Sequence, residues 1–271
     1  MSWVKKGIAA ILAPELRKIE GLYQRHAGES CYIFGHGLSI KWMDLKHFKD
    51  RPIIATNYMM YHKQIDELQV LYSTIIEPGW FWSWVLRRKL GKIDILRRKT
   101  HKNYRKIIKK YKKTLFFIHF SNFLVTWFRN AQYISRWVRP QSGDSNLFQD
   151  RQDAYDGTLK FQLALATFMG FETITLVGYD YTHAPAKAHH FFEKGRGVEV
   201  SLDQGAMKDY IDCAGRYARI ETVTLFGGSP VAHAVTYEEL TGEKPKFREN
   251  HEIVLDEGLK SLAVFPGYKI Y

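Results

Sequence analysis

The stretch Gly157–Phe192, GTLKFQLALATFMGFETITLVGYDYTHAPAKAHHFF, limits the fold more than any other part of the chain. Leu159, Leu163, Leu165, Ala166, Phe168 and Met169 recur at helical spacing and crowd toward one face. Gly170 ends that helix, because glycine enters positive φ without steric cost. Thr173–Val177 follows as a short β-branched run without polar alternation, the signature of a strand buried on both faces of a parallel sheet. Gly178, Asp180 and Tyr181 then fall at the carboxyl end of that strand, where open α/β sheets bind ligands. The loop beyond carries His183, His189 and His190. These residues fit an active site, and they also fit a solvated strand end.

The first part of the chain repeats this plan. Cys31–Phe34 reads as a strand, Gly35-His36-Gly37-Leu38-Ser39 as a turn, and the residues to about Phe48 as an amphipathic helix. A strand, a Gly-x-Gly turn and a helix N-terminus together make a phosphate cradle in nucleotide-binding folds, although the third glycine of the dinucleotide fingerprint is missing. His36 then contacts a donor or points to solvent. Pro52–Thr56 reads as a second strand ending at Asn57, whose amide can read a ligand or cap a turn. Leu68–Ile76 and Thr114–His119 are further strands, and Ile220–Phe226 reads as the last core strand. The turn after it contains Gly228 and Ser229. Leu202–Arg219 reads as a helix, Ser121–Pro140 as irregular, and Gln141–Gln152 as a polar, turn-rich lid edge. At least five strands alternating with helices imply an α/β fold with a doubly wound, mostly parallel Rossmann-like sheet.

Charge is concentrated. Arg87–Lys113 holds fourteen Lys and Arg against one acid, Asp94, so this segment alone accounts for the net charge of +12. Trp80, Phe81, Trp82 and Trp84 precede it. Indoles beside cations suit a membrane interface with anionic lipid, or an acidic glycolipid acceptor. Trp80, Trp82, Arg97, Arg98, Lys109 and Lys110 are the residues expected there. Nucleic acid is not expected as a partner, since no helix-turn-helix, zinc finger or RNP-like motif accompanies the charge. A solvated helix over Tyr104–Lys113 is the plainer alternative.

The 271 residues read as a single nucleotide-binding catalytic domain, with an amphipathic helix over residues 1–26 and a basic, aromatic insertion over 79–150. Pro14 interrupts the helix. Cys31 and Cys213 stand far apart without metal-ligand spacing, which implies free thiols in a reducing compartment. No apolar run approaches membrane-spanning length. The expected location is cytoplasmic, peripheral on the inner face of the cytoplasmic membrane, and a homo-oligomer is compatible with it.

The strand-Gly-x-Gly-x-Ser-helix pattern, Asn57 after the second strand, and the run MGFETITLVGYDYTHAPAKAH over Met169–His189 together resemble one superfamily. It comprises bacterial lipooligosaccharide sialyltransferases, flagellar motility-accessory glycosyltransferases and archaeal hydroxymethyldihydropterin pyrophosphokinases. The resemblance covers roughly Cys31–Asn57 and Gly157–Leu240. It implies a variant GT-A-like fold and a donor site at Gly35, His36, Gly37, Ser39, Asn57, Gly157, Thr158, Gly178, Asp180, Tyr181, Gly228 and Ser229. A further donor-binding asparagine of the family falls near Ser73 here. His36 stands where the sialyltransferases have asparagine, and Leu38 where they have proline. A phosphate-contacting tyrosine corresponds to Thr182, with Tyr181 one place earlier.

The activity implied is glycosyl transfer from a nucleotide-sugar donor, such as a CMP-linked sialic acid, to a cell-surface glycan or glycolipid in lipopolysaccharide biosynthesis. A base must take the acceptor proton, and histidine suits that task near neutral pH. His189 and His190 are the expected bases, with His183 third. No Asp-x-Asp occurs, so no metal cofactor is expected. In an extended loop adjacent side chains point apart, so one of His189 and His190 should face the cleft. A pyrophosphokinase-like phosphotransferase acting on a pterin-like substrate is the alternative; it would need Mg²⁺ on Asp153, Asp156 and Asp180. A non-enzymatic basic membrane or nucleic-acid binder is the third reading.

Overall fold

A computed structural model of the chain describes residues 13–81, 92–143 and 145–260. Eight strands form one sheet: β1 (Ser30–Phe34), β2 (Ile53–Thr56), β3 (Val70–Ile75), β4 (Leu115–His119), β5 (Ala131–Ile134), β6 (Thr173–Val177), β9 (Arg219–Thr224) and β10 (His233–Thr236). Two short strands, β7 (Ala186–Lys187) and β8 (Glu199–Val200), pair antiparallel outside it. The order across the sheet is β10-β9-β6-β1-β2-β3-β4-β5, and every pairing in it is parallel. Three longer helices are α1 (Lys92–Lys110), α2 (Thr158–Phe168) and α3 (Gly205–Ala214).

The sheet is covered on both faces, which explains the unbroken apolar runs in its strands. Tyr32 and Phe34 of β1 enter a core shared with Phe116 and with Tyr104 and Ile108 of α1. Cys31 and Ile33, one residue out of phase, enter the opposite core with Leu163 of α2 and Tyr210 and Ile211 of α3. This is a doubly wound Rossmann-like arrangement. The central helix is buried more completely than its sequence suggests: nine of its eleven residues are inaccessible, all except Thr158 and Lys160. Its apolar residues run all round because the sheet, α3 and the segment around Leu22 enclose it.

β6 coincides with the run read from the sequence, and Gly170 has φ of +85° as expected. Other elements differ. The residues after Gly37 form two 3₁₀ segments, Leu38–Trp42 and Leu45–Phe48, in place of one amphipathic helix. Asp44 accepts a hydrogen bond from the Lys46 N–H, a local bond that restarts the backbone there. Residues 13–22 likewise form a short α-turn and a 3₁₀ segment in place of a helix running to 26. The helix expected over Leu202–Arg219 is confined to α3, and Arg219 already belongs to β9. β9 is not the last strand, since β10 lies beside it. β5 occupies part of the stretch read as irregular. Both missed strands are short edges, where the apolar run a buried strand requires is absent. Among the described residues no helix is long and apolar enough to cross a membrane.

Candidate active site at the switch point

The chain builds β2 to β5 on one side of β1, then returns to place β6 on the other side. The carboxyl ends of β1 and β6 are neighbours, with Phe34 opposite Val177. Their loops leave side by side, and this change of direction is where open α/β sheets form a ligand crevice.

The loops are stitched together by backbone. The Gly35 N–H donates to the Val177 carbonyl and the Gly37 N–H to the Gly178 carbonyl, both at 2.8 Å. A Cβ on Gly37 would lie 2.6 Å from the Gly178 oxygen and from Asp180 Oδ1, and one on Gly35 would strike the Gly178 carbonyl. The glycines thus permit loop-to-loop contact. Ser39 donates its N–H to Asp180 Oδ2 at 2.7 Å and its hydroxyl to Oδ1 at 2.5 Å. Three backbone donors expected to cradle a phosphate, those of Gly35, Gly37 and Ser39, are therefore already engaged. Asp180 is buried, and burial raises its carboxyl above the usual range despite the His183 charge and the Ser39 bonds. It braces the Ser39 turn.

Above this seam lies a cavity of about 370 Å³. His36, Gly37, Thr56, Thr158, Gly178–Tyr181, Lys187, His189 and His190 contribute to its wall. The His36 Nδ1 lies 3.2 Å from the Thr56 hydroxyl and its ring 4.6 Å from that of His190. Burial, then the neighbouring His190, holds His36 well below the usual histidine range, so it is neutral at neutral pH. Thr158 opens α2. Gly157 before it has φ of +146° and supplies no side-chain cap, so α2 presents uncapped N–H groups and the positive end of its dipole.

Both His189 and His190 line the cavity, contrary to the alternation expected of an extended loop. His189 has φ of +85°, which breaks the extended geometry. Both rings bond one carboxylate: His189 Nδ1 is 3.0 Å from Glu193 Oε2, and His190 Nδ1 is 3.2 Å from Oε1. His190 also stacks on Phe192, with centroids 5.0 Å apart and planes 9° apart. Glu193 is 0% exposed. Burial opposes its charge, but the His190 hydrogen bond and the charges of His190 and His189 outweigh burial and hold the carboxyl below its usual range. Sequence reading missed Glu193. Its signal is the spacing His-His-Phe-Phe-Glu, which sets a carboxylate three and four residues beyond the rings.

The remaining expected residues lie elsewhere. His183 is buried beside a separate groove, with Nε2 3.4 Å from the Thr222 hydroxyl. Asn57 is buried and directs its amide to Glu77 at 3.2 Å. Ser73 is enclosed in the sheet, 3.3 Å from the Tyr104 hydroxyl. Gly228 accepts from the Ala184 N–H, and Ser229 holds the Thr182 carbonyl. Tyr181 forms part of the cavity and is 38% exposed. Trp80, expected at a membrane or acceptor surface, is instead 7% exposed and stacks on His101 at 3.8 Å. Trp82 lies outside the described residues, as do the side chains of Arg97 and Arg98. Lys109 and Lys110 are exposed, and Lys110 pairs with Asp66 at 2.7 Å.

Asp153, Asp156 and Asp180 do not converge on one point. Arg151, then Lys160, engages Asp153 and lowers its carboxyl to about 2, while Asp156 pairs with Arg136 at 3.3 Å. Among the described residues no group of three or more His, Cys, Asp or Glu side chains is disposed to hold a metal ion. No family model, curated protein or solved structure matches this chain.

Proposed function

We propose that this chain is a glycosyltransferase that moves a sugar from a nucleotide-activated donor, foremost a CMP-linked nonulosonate, to a hydroxyl of a glycan or glycolipid. The observation that carries the reading is the cavity at the β1/β6 switch point, walled by two histidines on a buried carboxylate and by an uncapped helix N-terminus. Its size falls within the range of small-molecule sites.

The chemistry follows from that wall. The acceptor oxygen bonds to the anomeric carbon as the bond from that carbon to the phosphate oxygen breaks. The hydroxyl proton passes to a histidine Nε2, and the electron pair leaves with the phosphate. The N-terminus of α2 and Lys187 supply positive potential for that phosphate. The variant GT-A-like relationship to the sialyltransferases belongs to the same proposal. So does a peripheral position on the inner membrane face, for which Lys102, Lys106 and Lys109 form an exposed basic stripe on α1. Leu124 and Trp127, 76% and 77% exposed, add apolar side chains.

Thermal unfolding with CMP, UDP, GDP and ATP tests the reading. A cytidine nucleotide at 100 times its dissociation constant should stabilise the fold by about 2.7 kcal/mol. A response to none of the four would overturn it. A response to ATP alone, and only with Mg²⁺, would favour the phosphotransferase reading.

A further inference from the structure

We propose that Glu193 is the positioning residue of this cavity: it accepts a hydrogen bond from Nδ1 of both His189 and His190 and so fixes Nε2 as the basic nitrogen of each ring. An ionised carboxylate only accepts hydrogen bonds, so each Nδ1 beside it is a donor. The two rings engage different oxygens, Oε2 and Oε1, and the His190 backbone N–H adds a third bond to Oε2 at 3.3 Å. A carboxylate with no exposure must be paired to remain charged in the fold, and these bonds pair it.

The loop is shaped for this contact. Positive φ at His189 carries an energetic cost for a non-glycine residue, and it sets the two adjacent rings on the same carboxylate. The Phe191 N–H donates to the His36 carbonyl at 3.2 Å and the Ala188 N–H to the Val198 carbonyl at 2.9 Å, so the loop is clamped on both sides of the pair. Lys41, fully buried, reaches the Gly195 carbonyl at 2.7 Å and pairs with Glu249 at 3.4 Å, with Glu193 a more distant acid. The other titratable groups facing the pair are His36 beside His190, Asp180, and Lys187 in the cavity wall.

In the glycosyl-transfer reading, on which this catalytic consequence rests, the Nε2 left free takes the acceptor hydroxyl proton as the departing phosphate gains one negative charge. Proton uptake at one Nε2 is thereby tied to bond cleavage. The tautomer assignment stands apart from that reading.

Nitrogen-15 imidazole spectra of the whole protein at alkaline pH, where both rings are neutral, test the assignment directly. His189 and His190 should both carry their proton on Nδ1. A proton on Nε2 of either ring overturns the proposal. In Glu193→Gln the amide can donate to Nδ1, so the tautomers should become mixed or reverse. Turnover should fall on the order of 10²-fold or more, as when a triad histidine loses the carboxylate that sets its tautomer. Nucleotide affinity should change little, and unchanged tautomers in a folded variant would overturn the assignment. If no nucleotide binds while the tautomers are as stated, glycosyl transfer fails and the Glu193 assignment survives.

Discussion

Two loops leave the sheet at the same edge and do different work. The loop after β1, Gly35–Ser39, is tied down against the end of β6: its donors go to Val177, Gly178 and Asp180, and its glycines let two backbones touch. The loop after β6 carries Lys187, His189 and His190 into the cavity and buries Glu193 behind the pair. The glycine turn, the more familiar sequence motif, is here a structural seam. His36 of the first loop also lines the cavity, while Lys187, His189 and His190 come from the later one.

The sharpest test is His189→Ala and His190→Ala. If one ring is the base, its loss should lower turnover by roughly 10²–10⁴ with nucleotide affinity nearly unchanged. Steady-state kinetics beside a binding titration measures both, and near-wild-type turnover in both variants would move the base out of this loop. Gly35→Ala should act on stability instead, costing about 1–3 kcal/mol in chemical denaturation, since the added methyl meets the Gly178 carbonyl with nowhere to go. A stable Gly35→Ala protein would mean that the seam is looser than described.

Acid should weaken the fold before it protonates Glu193, whose carboxyl is held below its usual range. Burial keeps His36 well below its usual range, His119 at about 4, His62 at about 3, and His183 lowered. The unfolded chain binds protons at these positions below about 6.5 while the folded chain does not, so the contribution of these rings to stability falls as pH drops from there. Each such histidine contributes up to about 1.4 kcal/mol per pH unit between its unfolded and folded values. Urea melts from pH 7 to 5 measure the slope; a flat profile would contradict the burial of these rings. The smallest effect concerns Lys110→Ala, which removes an exposed pair with Asp66 and should change stability by at most about 1 kcal/mol.

The sequence reading was strongest where burial leaves an unambiguous trace. β6 and the glycine ending α2 were legible to the residue, because a two-sided strand and a left-handed exit each permit few residue types. β5 and β10 were not, since short edges carry no such pattern. Glu193 was invisible for a different reason: glutamate is ordinarily exposed, and only the turn at His189 brings two rings onto it. Trp80 shows the converse. Its neighbours in sequence suggested a surface, and its ring fills a gap between α1 and Tyr58.

The most direct measurement is a crystal structure of the protein soaked with CMP. The account places the phosphate in the β1/β6 cavity, between the first N–H groups of α2 and the His189–His190 pair, with Gly35, Gly37 and Ser39 keeping their present bonds. Nucleotide density on the exposed face of α1, or a phosphate seated on the Gly35–Ser39 backbone with the Asp180 contacts broken, would contradict it.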